Sequence, residues 1–382
     1  MYDIIVCGGG SAGVATAVFA AEGGKNVLLI EQFGELGGII TSDCLGYVMD
    51  AKDKTGFVEE LRRNLGTVIV PESQNFKFDT EQMKYYLERR LVDAGVEILY
   101  FTKVCGAHVE NGNIQSIRVM HKGGTEDLFA KVYVDCTGDG DLGFLAGCGF
   151  DFGNENGEGQ PMSFLALVTG VDREEVKQFT NNHPDIPNPV GKKNMLAELA
   201  RAGFTPTYLQ PSLSYIRDGV FNLGVNHQYG RGLDNKTLTQ ATIEGRHEVF
   251  RAVEALRSLG GVWKNLSVIA TPTYIGVREG RRIHGEYTVT VQDMIDGARH
   301  EDSVCRAAFG VDLHGKTGYS NEGVRVIPYD IPLRALKSKD IKNLYMAGRC
   351  ISGEHLAHAS YRVTGNTFIM GENLGKYLAK TI

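Results

Sequence analysis

Apolar and polar positions predict a strand, a helix and a second strand at the start of the chain. Residues 3–7 are a short apolar run, a glycine-rich turn follows at residues 8–13, and small residues continue as a helix. A second apolar run at residues 26–30 stops at Glu31. This order of elements is the dinucleotide-binding fingerprint, in which the glycine turn follows a strand and opens a helix, and an acidic residue ends the second strand. We therefore predict a dinucleotide site here.

The residues of this segment have distinct physical tasks. Gly8 permits the tight turn, Gly10 lets a pyrophosphate approach the backbone, and Gly13 lets the helix lie close on the strand. The helix N-terminus offers free N–H groups and a positive dipole end to the phosphates. Glu31 is expected to accept hydrogen bonds from a ribose and to repel a 2′-phosphate. The fingerprint set is Gly8, Gly10, Ser11, Ala12, Gly13 and Glu31.

The pattern beyond the fingerprint predicts an antiparallel meander inserted into a parallel α/β domain. Residues 79–94 read as an amphipathic helix capped by Asp79 or Thr80, and residues 96–101 read as a strand. Three further strands are predicted at residues 103–109, 114–121 and 127–135. Asn111-Gly112 and Gly123-Gly124 form the turns between them. The last of these strands can rejoin the parallel sheet. It leads into residues 137–143, which we interpret as a turn against the first site and not as a second fingerprint, because two aspartates would face the phosphates.

The pattern of predicted strands and helices changes in the middle of the chain. The C-terminal residues then belong to the first domain again. We expect strands at residues 162–169, 267–270 and 287–291, a polar connector at residues 181–194 and a long helix at residues 238–259. A strand at residues 344–347 and a last helix from Gly365 to Leu378 follow. The predicted fold is α/β, with a Rossmann-like domain at residues 1–156 and 319–382. A smaller α+β substrate domain occupies residues 157–318.

Composition narrows the function classes. The chain has 382 residues, 42% of them hydrophobic, and a formal net charge of −6, which favours neither nucleic acid nor an acidic membrane surface. No apolar run is long enough for a membrane span, so a cytoplasmic protein is expected. Seven scattered cysteines indicate free thiols, and no metal is expected. Cys44 and Cys350 lie near cofactor motifs, where a buried inert thiol is favoured over an active-site cysteine.

Five stretches resemble the FAD-dependent oxidoreductase family related to the flavoproteins of fumarate reductase and succinate dehydrogenase. They span the chain in the order that the family has. The stretches are residues 8–13 with Glu31, residues 36–38 with Thr41 and Ser42, residues 135–141, residues 278–287, and residues 343–352 continuing to Gly365. One departure is notable, because this chain has extra residues between Gly348 and Arg362. That spacing argues against fumarate or succinate as the substrate.

The resemblance implies non-covalent FAD as the cofactor. The Gly37-Gly38 pair agrees with this, since it suits a ligand that extends beyond its pyrophosphate. By resemblance, Val104 gives backbone contacts to the adenine, Gly348 lies near the ribitol, and the helix begun by Gly365 and Asn366 points at the flavin pyrimidine edge. The resemblance therefore adds to the predicted cofactor set Gln32, Gly38, Thr41, Ser42, Val104, Thr137, Gly138, Gly348, Gly365 and Asn366.

The predicted catalytic residues are Arg362, His355, His358 and Arg282. Arg362 resembles a substrate-binding arginine that precedes a Gly-Asn pair, and a guanidinium suits a carboxylate; its alternative role is to hold the FAD pyrophosphate or a neighbouring carboxylate. His355 or His358 can exchange a proton near neutral pH; a structural role is favoured for either one taken alone, and one of the pair is expected to face the flavin. Arg281 and Arg282 are expected on opposite sides of a strand. Either one of them reaches the active site, or both form ion pairs or are solvated.

Two functions follow. The first is an FAD-dependent oxidoreductase that transfers a hydride between flavin N5 and a small polar substrate, a carboxylate or an alcohol, while a nearby side chain handles the proton. The second is an FAD-binding electron-relay subunit of a larger redox complex. A disulfide reductase fits poorly because no paired redox cysteines are present, whereas an aromatic hydroxylase stays open. The electron donor or acceptor is unknown, and a homo-oligomer is an open expectation.

Overall fold

The computed structural model describes residues 1–315 and 318–382. Its strands are β1 (Tyr2–Cys7), β2 (Val27–Ile30), β3 (Tyr47–Val48), β4 (Val68–Ile69), β5 (Phe76–Lys77), β6 (Glu97–Leu99), β7 (Lys103–Glu110), β8 (Asn113–His121), β9 (Gly124–Leu128), β10 (Ala130–Asp135), β11 (Phe150–Asp151), β12 (Ala166–Thr169), β13 (Ser212–Arg217), β14 (Val220–Gly224), β15 (Ser267–Ala270), β16 (Arg282–Ile283), β17 (Ser303–Ala307), β18 (Leu313–Gly315), β19 (Gly318–Ser320), β20 (Tyr329–Pro332) and β21 (Leu344–Met346). Its α-helices are α1 (Ser11–Glu22), α2 (Ile39–Ser42), α3 (Phe57–Leu65), α4 (Thr80–Asp93), α5 (Asp141–Leu145), α6 (Asn188–Arg201), α7 (Asn235–Ser258), α8 (Val291–Asp296), α9 (His355–Tyr361) and α10 (Thr364–Thr381).

A five-stranded parallel sheet in the order β21-β10-β1-β2-β6 forms the centre of the first unit. Ile5 of β1 pairs with Leu28 on one side and Tyr133 on the other. The apolar residues of β1 and β2 are buried on both faces of the sheet, as parallel strands covered by helices require. The predicted α/β class and Rossmann-like architecture are confirmed.

The predicted meander is present between β6 and β10. Strands β7, β8 and β9 pair in sequence as an antiparallel sheet, with Asn111 and Gly112 at the first turn in positive-φ conformations. The predicted single strand at residues 127–135 is wrong in one respect, because the chain changes partner at Phe129. Its first part ends β9 of the meander, and its second part is β10, which joins the parallel sheet beside β1.

Helix α1 lies in unusually close contact with the glycine turn before it and with α10. A Cβ at Gly13 would lie 1.9 Å from the Gly8 carbonyl oxygen, and a Cβ at Gly371 would lie 2.2 Å from the Ala12 carbonyl oxygen. Only glycine fits at such distances. The same packing brings the N-termini of α1 and α10 together, since the hydroxyl oxygens of Ser11 and Thr367 are 2.6 Å apart.

The second unit is an antiparallel sheet in the order β13-β14-β12-β15, packed against α6 and α7. Two sequence predictions fail around it. The second half of the connector at residues 181–194 is helical, because Pro189 lies in the first turn of α6, where proline is tolerated. The strand expected at residues 162–169 is limited to β12, and residues 162 and 163 form isolated bridges instead.

A third correction concerns the strand expected at residues 287–291. Thr290 and Asp293 form a reciprocal capping box that starts α8 at Val291. This local hydrogen bonding favours a helix start over a strand, even though the residues before it are extended.

Two large hydrophobic cores are present in the described residues, and a small third cluster of Cys44, Leu167, Ile216 and Val220 lies beside them. One contains Met162 through Val277, and the other joins the N-terminal part of the chain to residues from Ile283 onward. The cores thus change over between Val277 and Ile283, within the predicted 157–318 segment, and the domain boundaries stay a prediction. Over the described ranges, no helix combines the length and apolarity needed to cross a bilayer.

Gly13→Ala is predicted to lower the free energy of unfolding by about 1–3 kcal/mol or more, because a methyl group cannot share space with the Gly8 carbonyl oxygen. Gly310→Ala is the matched control, since a Cβ there meets no atom within 4 Å. Urea denaturation of both variants measures the difference. Equal stability of Gly13→Ala and wild type would show that the turn adjusts freely.

Candidate active site

A cavity of about 410 Å³ opens at the carboxyl ends of the parallel strands. Residues that directly follow β1, β2, β10 and β21 line it, among them Gly8, Glu31, Thr137 and Gly348. This is the edge at which ligands bind in open parallel sheets, beside the point where the strand order reverses, since β2 lies on one side of β1 and β10 on the other. The cavity has the location that a dinucleotide requires.

The N-terminus of α1 presents free donors to this cavity. The first main-chain bond of the helix runs from Val14 N–H to the Gly10 carbonyl, so the N–H groups of Ser11, Ala12 and Gly13 have no helical partner. The space beside Gly10 is open, because a Cβ there would come no closer than 4.0 Å to any atom. Free donors, a positive helix end and an open approach together fit a pyrophosphate.

Glu31 lies between the glycine turn and the cavity. Its carboxylate accepts hydrogen bonds from Gly9 N–H at 2.7 Å and Phe33 N–H at 2.9 Å. Burial raises its pKa, and these backbone bonds oppose that shift. The two bonds fix the carboxylate at the cavity wall, where it has lone pairs left to accept bonds from ribose hydroxyls.

The turn after β10 also closes on this cavity. The buried Asp135 carboxylate accepts from the N–H and hydroxyl of Thr137 and from Gly143 N–H. These three bonds hold Thr137 and Gly138 against the cavity, while α5 that follows has only five residues. The geometry agrees with the interpretation of residues 137–143 as a turn and not as a second nucleotide fingerprint.

Most of the predicted cofactor residues line the first cavity, namely Gly8, Gly10, Ser11, Ala12, Glu31, Gln32, Gly38, Ser42, Val104, Thr137, Gly138 and Gly348. Gly13, Thr41, Gly365 and Asn366 do not. Gly13 packs on the Gly8 carbonyl, and the Thr41 hydroxyl bonds the Leu36 carbonyl. Gly365 packs on the Met49 and Asp50 carbonyls. At the start of α10, Thr364 and Thr367 reach the cavity instead of Gly365 and Asn366.

A larger cavity of about 950 Å³ adjoins the first one. The two cavities share Ile39, Arg349, Arg362 and Thr364 in their walls. Residues of both cores line the larger cavity, from Ile39 and Leu45 in one to Val277 in the other. The second cavity is therefore a cleft between the two units that meets the dinucleotide cavity at two arginines.

Arg362 lies at this junction and is held by Asp312. Its Nη2 donates to the Asp312 carboxylate at 3.2 Å, to the Asp312 carbonyl oxygen at 2.9 Å and to the Gln160 side-chain oxygen at 3.3 Å. Burial and the nearby Arg278 lower the pKa of Arg362 to about 10, while Asp312 opposes the shift. The guanidinium therefore stays charged at neutral pH. Arg349 is similarly tied to Asp139 at 2.9 Å.

The other three predicted catalytic residues form a cluster that lines neither cavity. His355 Nδ1 lies 3.0 Å from the Glu279 carboxylate, and Arg282 pairs with the same carboxylate while donating to the Gly353 and Gly153 carbonyls. His358 is fully buried, and burial holds its pKa well below the ordinary value. This arrangement resembles a structural ion-pair network. The catalytic assignment of these three residues stays a prediction without a contact to support it.

Sequence reasoning assigned no role to several polar residues of the larger cavity, among them Lys77, Lys192, Tyr208, Arg278, Asp312 and His314. Tyr208 stacks on His227 with ring centres 4.1 Å apart, and His314 Nε2 lies 3.1 Å from the Asp312 carboxylate. Burial and the nearby Arg278 lower the pKa of His314 to about 4. Arg278 lies in a stretch that the resemblance had included, but the others stand in no motif.

Two cysteines near the cofactor motifs are buried, as the sequence favoured. Burial raises the pKa of Cys44 to about 12 and that of Cys350 well above its ordinary value. Neither thiol is therefore ionised near neutral pH, which is the condition for a cysteine nucleophile.

Lys77 is a buried lysine without an anionic partner. Its residue exposure is 7%, and its ammonium lies 4.3 Å from the Tyr47 ring centre. Among the described residues it makes no ion pair, and burial together with the nearby Lys192 lowers its pKa to about 7. Lys192 is partly buried, also unpaired among those residues, and its pKa is lowered chiefly by burial. Two lysines without an ion-pair partner among the described residues thus line the larger cavity, and Lys77 is only partly protonated near pH 7.

A Rossmann-type nucleotide cavity beside a substrate-sized cleft defines a dinucleotide-dependent oxidoreductase. The chain belongs to the FAD dependent oxidoreductase family, whose profile matches residues 3–381. It is an enzyme, and FAD is its cofactor.

The chain is also similar to individual proteins. It is 28% identical over 156 residues to digeranylgeranylglycerophospholipid reductase of Methanosarcina mazei, which is 36% of this chain and 38% of the relative. It is 26% identical over 202 residues to the enzyme of that name from Methanothrix thermoacetophila, covering 47% of this chain and 50% of the relative. The matches thus span half or less of these curated relatives.

One solved structure supports the fold. A geranylgeranyl bacteriochlorophyll reductase-like protein from Thermoplasma acidophilum superposes with a TM-score of 0.53 at 15% identity, covering 99% of this chain and 77% of that one. At this identity the likeness shows the shared fold.

Lys77→Met is predicted to stabilise the ligand-free protein most below about pH 7, with an advantage that shrinks as the pH rises to 9. The folded pKa of Lys77 lies below the unfolded value, so in this window the unfolded chain binds more protons and the wild type gains stability with pH. The expected slope is on the order of 1 kcal/mol per pH unit. Urea denaturation from pH 6 to 9 measures it, with the exposed Lys193→Met as control. A stability difference between Lys77→Met and wild type that does not change with pH contradicts the prediction.

Proposed function

We propose that this enzyme transfers a hydride between FAD, held non-covalently in the first cavity, and a small carboxylate substrate in the larger cavity. The shared wall of the two cavities carries the proposal, because Arg349 and Arg362 face both spaces. When bound, FAD supplies the hydride-accepting or hydride-donating group. The protein supplies the binding of the substrate, its orientation and the handling of the proton.

The charge of the larger cavity supports an anionic substrate. Six cationic side chains line it against three carboxylates, the former being Lys77, Arg173, Lys192, Arg278, Arg349 and Arg362 and the latter Asp43, Glu72 and Asp312. Buried positive charge without partners disfavours an apolar ligand, since desolvating it is costly. The proposed substrate therefore differs from the geranylgeranyl lipids in the names of the relatives.

Arg362 is the proposed carboxylate-binding residue. Asp312 and Gln160 engage its Nη2, while Nη1 has no hydrogen-bond partner among the described residues. A guanidinium held on one side and free on the other is oriented in advance, which lowers the entropic cost of binding a carboxylate. In the resemblance to the fumarate reductase flavoproteins, the stretch from Arg362 to Asn366 is the one that matches a substrate-binding arginine before a Gly-Asn pair.

Tyr208 is the proposed group for the proton, in place of His355 and His358. It lines the larger cavity, and within the described residues its hydroxyl has no hydrogen-bond partner. Burial raises its pKa, while Arg278 opposes the shift. When the substrate is reduced, the protonated hydroxyl can donate the proton, and when the substrate is oxidised, the tyrosinate form, which the nearby Arg278 stabilises, can accept it.

The test uses FAD-loaded enzyme mixed anaerobically with hydroxy and saturated carboxylic acids, while the oxidised-flavin absorbance is followed. At least one acid should bleach the flavin. The Arg362→Lys variant should keep FAD but bind that acid at least tenfold more weakly, because lysine keeps the positive charge but cannot donate two parallel hydrogen bonds to a carboxylate. Tyr208→Phe should slow bleaching by 10²–10⁴-fold with binding little changed.

The exposed Tyr229→Phe, whose hydroxyl bonds the Gly315 carbonyl, is the control for Tyr208→Phe. If the Arg362→Lys variant is bleached at the same acid concentrations and rate as the wild type, the assignment of Arg362 as the carboxylate-binding residue is refuted. Wild-type bleaching by Tyr208→Phe would refute the proton assignment alone.

A further inference from the structure

The wall of the larger cavity around Lys77 is built differently from the wall at Arg362. At Arg362 and Arg349 each guanidinium has its own carboxylate, Asp312 or Asp139. Lys77 has no such partner among the described residues, although its residue is only 7% exposed. A fold that buries an ammonium without a carboxylate leaves its charge to be matched by something from outside the chain.

Lys77 and Lys192 reach the cavity from different units. Lys77 ends β5, in the small sheet of β3, β5 and β4 that packs with the FAD-binding unit, and Tyr47 of β3 supports its ammonium at 4.3 Å. Lys192 stands in the second turn of α6, in the other unit. Both residues line the same cavity, and the pKa of Lys77 is lowered by burial and, to a smaller extent, by Lys192. Two cations brought together across a cleft repel one another unless an anion lies between them.

The start of α6 points to the same ligand. Ile186, Pro187 and Asn188 line the larger cavity together with Lys192. The N-terminal end of this helix of 14 residues carries the positive end of its dipole. Asn181 and Asn182 also line this wall, where the Asn182 amide is bonded to the Tyr215 backbone and the Asn181 side-chain oxygen accepts from the Ser214 hydroxyl.

We propose that Lys77 and Lys192 form an oxyanion subsite, which binds a second anionic group of the substrate in addition to the carboxylate held by Arg362. This inference rests on the proposed function and narrows its substrate to a molecule with two anionic groups. The second group is a carboxylate or a phosphate, since both present oxygen acceptors to two ammonium groups.

The experiment is calorimetric titration of the FAD-loaded enzyme. Straight-chain dicarboxylates of three to six carbons are compared with monocarboxylates of equal length, and phosphoglycolate is compared with acetate. In the wild type, at least one dianion should bind ten or more times as tightly as its monoanionic counterpart. The dicarboxylate arm and the phosphoglycolate arm tell which second group the subsite prefers.

The variants separate this subsite from the site at Arg362. Lys77→Met and Lys192→Met should abolish the advantage of the dianion and leave the affinity for the monocarboxylate within twofold. Lys193→Met, an exposed neighbour on α6, should change neither quantity. The Arg362→Lys variant should instead have a lower affinity for the monocarboxylate. The proposed function fails if Arg362→Lys leaves the monocarboxylate unaffected, and the subsite fails if the dianion advantage survives in Lys77→Met.

Inorganic sulfate gives a second readout, because it can occupy the subsite without the rest of a substrate. It should bind the wild type and Lys193→Met equally and bind Lys77→Met at least tenfold more weakly. Absence of sulfate binding to the wild type, or equal binding to wild type and Lys77→Met, overturns the subsite. Thermal unfolding of each variant shows that a lost affinity does not reflect a lost fold.

Discussion

The close approach of α1 to the backbone on both of its sides is the constraint on which the cofactor site depends. Gly13 lets α1 pack on the turn after β1, and Gly371 lets α10 pack on α1. Side chains at these two positions would push the helices apart. Their N-termini would then no longer meet where Ser11 bonds Thr367. Two positive helix ends at one cavity favour a ligand that carries negative charge at two places, as FAD does at its pyrophosphate and, when reduced, at its flavin.

The larger cavity is governed by charge balance. Arg362 with Asp312, and Arg349 with Asp139, are buried pairs that leave little net charge and hold their guanidinium groups in fixed positions. Lys77 and Lys192 lack such partners among the described residues. Their desolvation disfavours the ligand-free state, and an anion that pairs with them recovers that cost on binding. The guanidinium groups at the junction of the two cavities are therefore oriented before a ligand binds. The two lysines in the wall of the larger cavity favour the binding of an anion.

The parallel sheet and the cofactor cavity could be predicted from the sequence because their determinants are local. Glycine spacing, a buried strand and Glu31 lie within one short segment, and each has a fixed structural task. The larger cavity could not be predicted, because Lys77, Tyr208 and Asp312 come from distant segments and stand in no motif. His355 and His358 were predicted to act on substrate from their place near Arg362 in sequence. Helix α9 brings His355 to the buried Glu279 and buries His358, and their action on substrate stays a prediction.

The central claim is that the flavin ring and an anionic substrate meet at Arg349 and Arg362. A crystal structure of the FAD-loaded enzyme tests it most directly. We expect the pyrophosphate at the N-terminus of α1 and the flavin ring beside Ile39, Arg349 and Arg362, with one face open to the larger cavity. A flavin ring turned away from Arg362, toward Glu279 and His355 or into solvent, would contradict it.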